Sequence, residues 1–151
     1  MTIKKKISIK NVSFGKNVII IEPVNLYNCK IGNNCFIGPF VEIQEGSIIG
    51  DNTRIQSHSF ICSKVKIGKN CFIGHGVKFV NDKFLKNKLT KDKKKLLNTL
   101  VGNNVLIGSN STILPVAIKN NIVIGAGSVV TKDCIKDKGV YMGNPAKPKK
   151  N

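Results

Sequence analysis

The feature that most constrains this chain is a repeat of six residues. From Ile31 the sequence divides into eight consecutive units that all begin with isoleucine: IGNNCF, IGPFVE, IQEGSI, IGDNTR, IQSHSF, ICSKVK, IGKNCF and IGHGVK. The second position is often glycine, and the fifth is always small or β-branched. An amphipathic helix would show a period near 3.6 instead. A short fixed period of this kind predicts a β-solenoid.

Each unit of the repeat predicts one short strand and one corner. Because side chains alternate along a strand, the fifth position and the following first position both point inward. The third and fourth positions are mainly polar and rich in asparagine, which suits a turn with positive φ. Three units of about 18 residues close one coil, and coils stack at roughly 4.8 Å. The sequence therefore predicts an all-β parallel β-helix with three flat sheets.

The repeat is interrupted once. It begins upstream with FGKNVI and IIEPVN, and after a gap it resumes at Val101 with VGNNVL. The segment at about 80–100 lacks the pattern and has seven lysines between Lys83 and Lys95. We expect a single domain over 1–151, with this segment projecting as a loop and a short tail at about 140–151. The loop is either a solvated excursion or an arm that covers a site on this or a neighbouring subunit.

The five cysteines form no C-x-x-C pair, and their odd number argues against a disulfide framework. Four of them occupy the fifth position of a unit or its equivalent in a short unit: Cys29, Cys35, Cys71 and Cys134. The repeat therefore predicts that these cysteines are small core residues.

The formal net charge is +17, and 24 of the 25 basic residues are lysine. Three interpretations are open: a solvated lysine-rich surface, attraction for phosphorylated small molecules, or nucleic-acid binding. Nucleic acid is disfavoured because Arg54 is the only arginine and tryptophan is absent, which leaves few base-reading or stacking side chains.

Nothing in the sequence predicts membrane insertion. The longest apolar run, Val18 to Ile21, has four residues, far fewer than the ~20 that span a bilayer. The lysines near the start are followed by no apolar segment of the kind found in a signal peptide. We therefore expect a cytoplasmic location.

The two histidines are the strongest candidates for chemistry. His58 and His75 are 17 residues apart, while Ile55 and Ile73, which begin their units, are 18 apart. The spacing places both on corresponding corners of adjacent coils, roughly 5 Å apart along the axis. Histidine suits proton transfer near neutral pH. For each histidine the alternative is an ordinary polar corner residue.

The repeat units resemble those of the hexapeptide-repeat acyltransferases. The run IGDNTRIQSHSFICSKVKIGKNCFIGHGVKFVND, the later units IGSNSTILPVAI and IGAGSVVTKD, and the ending GVYMGNPAK are similar to the sugar-nucleotide 3-N-acetyltransferases. The resemblance implies a left-handed helix, a homotrimer and acetyl-CoA as acyl donor. It also implies a nucleotide-sugar substrate, a dTDP-3-amino-3,6-dideoxyhexose or a UDP-3-amino sugar, in cell-surface glycan or lipopolysaccharide biosynthesis.

The resemblance also implies roles for particular residues. His75 and His58 are candidate catalytic residues together with Asn81, a sugar contact, and Asp82, which either orients a reacting group or caps a turn. Coenzyme A is expected along the C-terminal coils. Its expected contacts are the backbone at Gly108, Ser109, Gly125 and Ala126, the phosphate partners Lys132 and Lys147, and Pro145 near the adenine.

Three other functions are weighed against this one. An O-acetyltransferase of a sugar or of serine, and a trimeric scaffold without activity, would both retain the repeat. The γ-class carbonic anhydrases share the fold but need three histidines around zinc. Because this chain has two, we expect no metal site.

Overall fold

The computed structural model describes residues 3, 6–84, 87–136 and 138–149. In these ranges the chain forms short strands of two or three residues, separated by corners. In chain order the strands are β1 (Ile9–Lys10), β2 (Ser13–Phe14), β3 (Ile19–Ile20), β4 (Asn25–Tyr27), β5 (Lys30–Ile31), β6 (Phe36–Ile37), β7 (Glu42–Ile43), β8 (Ile48–Ile49), β9 (Arg54–Ile55), β10 (Phe60–Ile61), β11 (Val65–Ile67), β12 (Phe72–Ile73), β13 (Lys78–Phe79), β14 (Thr99–Val101), β15 (Leu106–Ile107), β16 (Thr112–Ile113), β17 (Ala117–Ile118), β18 (Val123–Ile124), β19 (Val129–Val130), β20 (Val140–Met142) and β21 (Lys147–Pro148).

The strands form three sheets, and from β1 to β19 successive strands of the chain fall in successive sheets. Sheet A has the order β1-β4-β7-β10-β13-β16-β19, sheet B has β2-β5-β8-β11-β14-β17, and sheet C has β3-β6-β9-β12-β15-β18-β20-β21. The pairs are parallel except β20 with β21. This is the left-handed parallel β-helix, of about seven turns, that the repeat and its resemblance predict.

The corner between sheets B and C is held by a column of asparagines, and we call it the asparagine corner. Its fourth-position residues have φ near +55°, a region that asparagine tolerates better than most residues. Each side-chain N–H donates to the side-chain oxygen of the next coil, at 3.0 to 3.2 Å. The column consists of Asn17, Asn34, Asn52, Asn70, Asn104 and Asn121.

The interior follows the predicted division of positions. First-position isoleucines such as Ile55 and Ile73 are fully buried. Fifth-position hydroxyl and thiol groups donate to the second-position carbonyl of the next coil: Thr53 Oγ1 to Gly68 O at 2.9 Å, and Ser59 Oγ to Gly74 O at 2.9 Å. No buried side-chain N or O atom in the described ranges lacks a partner. Small polar residues are therefore tolerated in this core because each one closes a hydrogen bond between coils.

All five cysteines are buried and free of disulfides, so the core role predicted for four of them is confirmed. Burial raises the pKa of the Cys29 and Cys134 thiols to about 11 and that of Cys62 to about 12. Cys62 stands at the second position of its unit and lines a groove beneath the inserted loop. At neutral pH these thiols are protonated, which disfavours nucleophilic or metal chemistry.

The insertion leaves the helix at the corner between sheets A and B, which we call the loop corner. The ammonium of Lys64 donates to the carbonyls of Lys94 and Leu96 at 2.8 and 2.9 Å, and Lys93 pairs with Glu45 at 2.8 Å. A 3-10 turn, Lys93–Lys95, is capped by the side chain of Asp92. The loop thus folds back on its own corner. No helix within the described ranges is long and apolar enough to cross a membrane.

Irregular units share the same corner. The five-residue units LYNCK and ILPVA connect β4 to β5 and β16 to β17, both between sheets A and B. The other two corners keep units of six residues through the central coils.

Candidate functional site

The corner between sheets C and A contains both histidines, and we call it the histidine corner. The fourth-position N–H of each coil donates to the third-position carbonyl of the coil before: His58 to Pro39 at 3.1 Å, Gly76 to Ser57 at 2.9 Å, and Asn110 to His75 at 2.8 Å. The structure thus places the histidines on adjacent coils. The third-position residues stack in the order Pro39, Ser57, His75, Ser109 and Ala126, and the fourth-position residues in the order Phe40, His58, Gly76, Asn110 and Gly127.

His75 is exposed and is oriented by the serine at the equivalent position of the preceding coil. Its Nδ1 lies 2.8 Å from Ser57 Oγ. A hydroxyl both donates and accepts, so Ser57 can bond either neutral tautomer of the ring. When Nδ1–H donates to Ser57, Nε2 carries a lone pair that can take a proton. Ser57 is not among the residues predicted from the sequence, although its spacing of 18 residues from His75 is the signal of a stacked pair.

His58 has a different environment. Its backbone has a φ of 62°, and its ring stacks on Phe40 of the preceding coil with centroids 4.8 Å apart and planes at 30°. The ammonium of Lys78 donates to the His58 carbonyl. His58 thus packs toward the N-terminal coils while His75 pairs with Ser57, so the two rings have separate partners.

Backbone donors at the histidine corner are left open on the C-terminal side of His75. At the asparagine corner, the third-position N–H is bonded by a side chain of the next coil, as in Asn33 N–H to Asp51 Oδ1 at 2.9 Å and Asn103 N–H to Asn120 Oδ1 at 2.7 Å. Among the described residues, no acceptor bonds the N–H of Ser109 or Ala126. These two N–H groups can therefore bond the oxygen of a ligand.

Glycine at the second position lets the coils approach at this corner. A Cβ on Gly108 would lie 2.4 Å from the nitrogen of Ala126, and one on Gly74 would lie 2.6 Å from the nitrogen of Ser109. A Cβ on Gly125 would meet the Cβ of Met142 at 3.0 Å. A side chain at these positions would force the coils apart and move the open donors.

The C-terminal residues extend this side of the helix. Ala146 N–H donates to Val129 O at 2.8 Å, which places Pro145 at the end of sheet A. Lys147 begins β21, is exposed and pairs with Met142. Lys132 lies elsewhere, at the loop corner after β19. Of the residues expected to bind coenzyme A, the structure gathers Gly108, Ser109, Gly125, Ala126 and Pro145, and places Lys132 across the width of sheet A.

Asn81 and Asp82 lie at the loop corner, as their spacing from Phe79 indicates. Asn81 Nδ2 donates to Ser63 Oγ at 2.8 Å. The carboxylate of Asp82 accepts from Thr90 N at 2.7 Å, from Thr90 Oγ1 at 3.0 Å and from Phe84 N at 2.9 Å. The N–H of Thr90 contributes most to lowering the pKa of Asp82. Asp82 therefore folds the loop, in line with the turn-capping alternative.

One sheet width separates these two residues from His75 within a single chain. Six residues of extended chain lead from His75 to Asn81, which corresponds to roughly 20 Å. The structure therefore does not bring Asn81 or Asp82 to the histidines of the same chain. The described residues also contain no group of three or more His, Cys, Asp or Glu that would hold a metal ion.

Two family models match the sequence. One, described as the bacterial transferase hexapeptide with six repeats, matches residues 28–63. The other, the hexapeptide repeat of succinyl-transferase, matches residues 64–77 and 99–132. Together they cover more than half of the chain. A comparison with curated proteins finds no match.

Solved structures of acyltransferases share the fold. AntD, an N-acyltransferase from Bacillus cereus solved with dTDP and coenzyme A, is 25% identical with a TM-score of 0.80, and the match covers 91% of this chain and 82% of AntD. A maltose O-acetyltransferase from Clostridium difficile is 27% identical with a TM-score of 0.61, covering 91% and 68%. GDP-perosamine N-acetyl transferase from Caulobacter crescentus, solved with CoA and GDP-perosamine, is 21% identical with a TM-score of 0.66, covering 95% and 57%.

The role of Asp82 can be tested by replacing it with asparagine. Asp82→Asn retains the shape but turns an amide N–H toward one of the groups that donate to the carboxylate. Because the pKa of Asp82 is lowered, its contribution to loop anchoring is present at neutral pH and is lost only in acid, as pH falls through that pKa. We expect trypsin to cleave the lysine-rich loop of Asp82→Asn several-fold faster than that of the wild type at neutral pH.

Asp133→Asn is the matched control, because Asp133 accepts a hydrogen bond from Ala117 N at 2.8 Å and forms none with the described residues of the loop. Unchanged loop cleavage in Asp82→Asn would contradict the structural role.

Proposed function

Since the chain belongs to the bacterial hexapeptide-repeat transferases and is an acyltransferase, we propose that it transfers the acetyl group of acetyl-CoA to an amine of a nucleotide-linked amino sugar. The substrate we favour is a dTDP-linked 3-amino-3,6-dideoxyhexose, in cytoplasmic synthesis of a cell-surface glycan such as lipopolysaccharide. The observation that carries this proposal is the order of groups along the histidine corner, where His75 lies beside the open backbone donors of Ser109 and Ala126.

The similar structures support both the proposed acyl donor and the proposed nucleotide-linked acceptor. AntD is an N-acyltransferase whose structure holds dTDP and coenzyme A, and the match extends over most of both chains. The Caulobacter enzyme acts on a GDP-linked amino sugar and is an N-acetyltransferase. The high positive charge of the present chain is compatible with two phosphorylated substrates.

We propose that coenzyme A lies along the C-terminal coils of the histidine corner. The N–H of Ser109 would bond the thioester oxygen, and that of Ala126 an amide oxygen of the pantetheine arm. Gly108 and Gly125 would admit the arm close to the backbone. Lys147 and Lys132 are the phosphate partners and Pro145 the adenine contact in this proposal. Because Lys132 lies at the loop corner, it would reach the cofactor of a neighbouring subunit.

The chemistry is an attack of the amine nitrogen on the thioester carbonyl carbon. A C–N bond forms, and the negative charge that develops on the carbonyl oxygen is stabilised by the backbone N–H of Ser109. The C–S bond then breaks and coenzyme A leaves as a thiolate. The amine proton passes to Nε2 of His75, held by Ser57 through Nδ1, and from there to the sulfur, which gives free thiol and an N-acetyl sugar.

We propose a homotrimer, because one chain does not hold the whole site. Asn81, Asp82 and Lys132 are separated from His75 by the width of sheet A, so a site that contains them all needs two subunits. In the trimer, the loop of one subunit would reach the histidine corner of the next, with Asn81 as a sugar contact. This gives the loop the covering role that the sequence left open.

Sheet C offers the surface for that assembly. Its outward side chains form one ladder in register: Ile19, Phe36, Arg54, Phe72, Leu106, Val123 and Val140. Six of the seven are apolar, and the arginine lies over the ring of Phe36 at 4.4 Å. The outward ladder of sheet B interrupts its apolar residues with Lys30 and Lys66. An apolar stripe along the whole helix beside the histidine corner suits packing against another subunit.

A second candidate is an O-acetyltransferase acting on a sugar hydroxyl. The maltose O-acetyltransferase match, at 27% identity, favours it. The same corner could promote attack by a sugar hydroxyl on the thioester. A hydroxyl must give its proton to a base as it attacks, whereas an amine is already nucleophilic once unprotonated.

Thiol release from acetyl-CoA separates the candidates. We expect release with dTDP-3-amino sugars, weaker release with UDP-3-amino sugars, and none with maltose or serine. Mass spectrometry of the product should locate the acetyl group on nitrogen. Release with maltose alone would favour the O-acetyltransferase, and no release with any acceptor would contradict enzymatic transfer.

His75→Ala tests the proposed base in the same assay. We expect a fall of about 10²–10⁴-fold in kcat with little change in KM for either substrate, because the proton acceptor acts in the transition state. His75→Gln should be equally slow, since the amide can bond Ser57 but cannot take a proton. Lys119→Ala, an exposed change near the asparagine corner, is the control. A fall of less than tenfold, or activity retained by His75→Gln, would make His75 a substrate contact instead.

The assembly is tested by two leucines of similar exposure on different sheets. Leu106 of sheet C is 47% exposed and Leu100 of sheet B is 50% exposed. We expect Leu106→Glu to shift the trimer to monomer in sedimentation analysis and to lower activity, because it buries a charge at the interface. Leu100→Glu should remain trimeric. The opposite result would place the interface on sheet B.

A further inference from the structure

Phe40 occupies a corner position whose backbone conformation is unfavourable for a bulky side chain. Its φ is +59°, a conformation that costs a bulky side chain energy, and most other units place asparagine or glycine there. Its ring is 57% exposed, so burial in the core does not offset that cost. A strained and exposed aromatic ring calls for a role other than packing.

The ring of Phe40 is part of a larger aromatic surface. The His58 ring stacks on it at a centroid distance of 4.8 Å, and both residues are exposed at the histidine corner. A shallow depression beside Phe40 is also lined by Pro23, Asn25 and Glu42. The amide of Asn25 has both a donor and an acceptor, which are the groups that read the edge of a nucleobase.

This surface lies at a defined distance from the proposed acyl-transfer centre. Phe40 is two coils before His75 on the same corner, which corresponds to roughly 10 Å along the axis. The ammonium of Lys78 lies at this surface, where it donates to the His58 carbonyl. Lys78 is three residues after His75 in the same coil. The order along the corner is aromatic surface, ammonium group, and then His75.

We propose that Phe40 and His58 form a stacking platform for the base of the nucleotide that carries the acceptor sugar. The inference rests on the proposed function, and it assigns the nucleotide to the N-terminal side of His75. The base stacks on the exposed face of Phe40, Lys78 binds the diphosphate, and the sugar amine reaches His75. Acetyl-CoA approaches from the opposite side, along Ser109 and Ala126, so the two substrates meet at His75 without competing for space.

The platform also explains why His58 is a histidine. A flat ring at this position supports Phe40 from the side of His75, and the stack restricts the Phe40 ring before the ligand arrives. A preorganised ring loses less entropy on binding than a free one. His58 is then a binding residue that acts through Phe40, and His75 alone serves as the base.

The test replaces Phe40 with asparagine, the residue found most often at the fourth position of the repeat. Phe40→Asn installs the residue that Asn34 and Asn52 provide at positive φ, so the variant should fold at least as well as the wild type. Phe40→Tyr keeps the aromatic face at the same strain. Binding of dTDP, UDP and inorganic pyrophosphate is measured by calorimetry on the intact protein, together with binding of coenzyme A.

We expect the Kd of dTDP to rise by about 5- to 150-fold in Phe40→Asn, the range for the loss of one base–aromatic stack, and to stay within about threefold in Phe40→Tyr. The Kd of coenzyme A and that of pyrophosphate should not change in either variant. Lys78→Ala should weaken dTDP and pyrophosphate together. In the assay, Phe40→Asn should raise KM for the nucleotide sugar and leave KM for acetyl-CoA alone.

Three results would overturn the platform. Equal dTDP binding by Phe40→Asn and wild type would show that the ring does not contact the base. A loss of trimer in Phe40→Asn would make the ring a subunit contact. Parallel loss of coenzyme A binding would place the adenine there instead.

The failure of the platform can be told from the failure of the proposed function. If the wild type acetylates a nucleotide-linked amino sugar and Phe40→Asn binds dTDP as tightly as the wild type does, only the platform is wrong. If it binds dTDP through Phe40 but releases no thiol with any acceptor, the acetyl-transfer proposal is wrong.

Discussion

Every part of this molecule depends on the contact between a residue and its equivalent in the next coil. The backbone hydrogen bonds run along the axis, so each position of the repeat faces the same position about 18 residues away. This explains glycine at the second position, where a Cβ would collide with the backbone of the next coil. It also explains small hydroxyl and thiol residues at the fifth position, which bond a carbonyl in the adjacent coil. One contact repeated along the axis therefore selects both the apolar and the polar residues of the core.

The three corners use that stacking in different ways. At the asparagine corner, side chains satisfy each other and also the backbone N–H groups of the preceding coil. At the histidine corner the equivalent positions hold serine, histidine and alanine, and the N–H groups of Ser109 and Ala126 have no acceptor in the described ranges. The loop corner is bonded by the insertion itself, through Lys64 and Asn81. The difference between a corner whose N–H groups are bonded and one where they are open is thus the identity of two residues per coil.

The sequence was sufficient to predict the features that depend only on a residue's position in the six-residue repeat. The period predicted the fold, the burial of Cys35 and Cys71, and the stacking of the corners that carry His58 and His75, because each follows from counting in sixes. It did not predict the Ser57–His75 bond or the Phe40–His58 stack, since both depend on side-chain rotamers at a corner. The burial of Cys62 was not predicted, because Cys62 stands at the second position of its unit and not at the fifth. It is covered by the insertion, whose path the repeat does not predict. The loop hydrogen bonds of Asp82 were offered only as one alternative, since the path of a non-repeating segment is set by contacts that no spacing encodes.

The confinement of irregular units to the loop corner bears on how such a chain changes length. Two corners contain stacked side chains that must keep their register, and a residue added at either would shift a whole column by one place. The loop corner already accommodates three five-residue units, at 9–13, 26–30 and 113–117, and the long insertion between β13 and β14 without disturbing the strand ladders on either side. Through the coils up to β18, gain or loss of residues is therefore accommodated along this edge of the prism. That edge is where a chain built on this helix can acquire new loops while the stacked side chains of the other two corners keep their register.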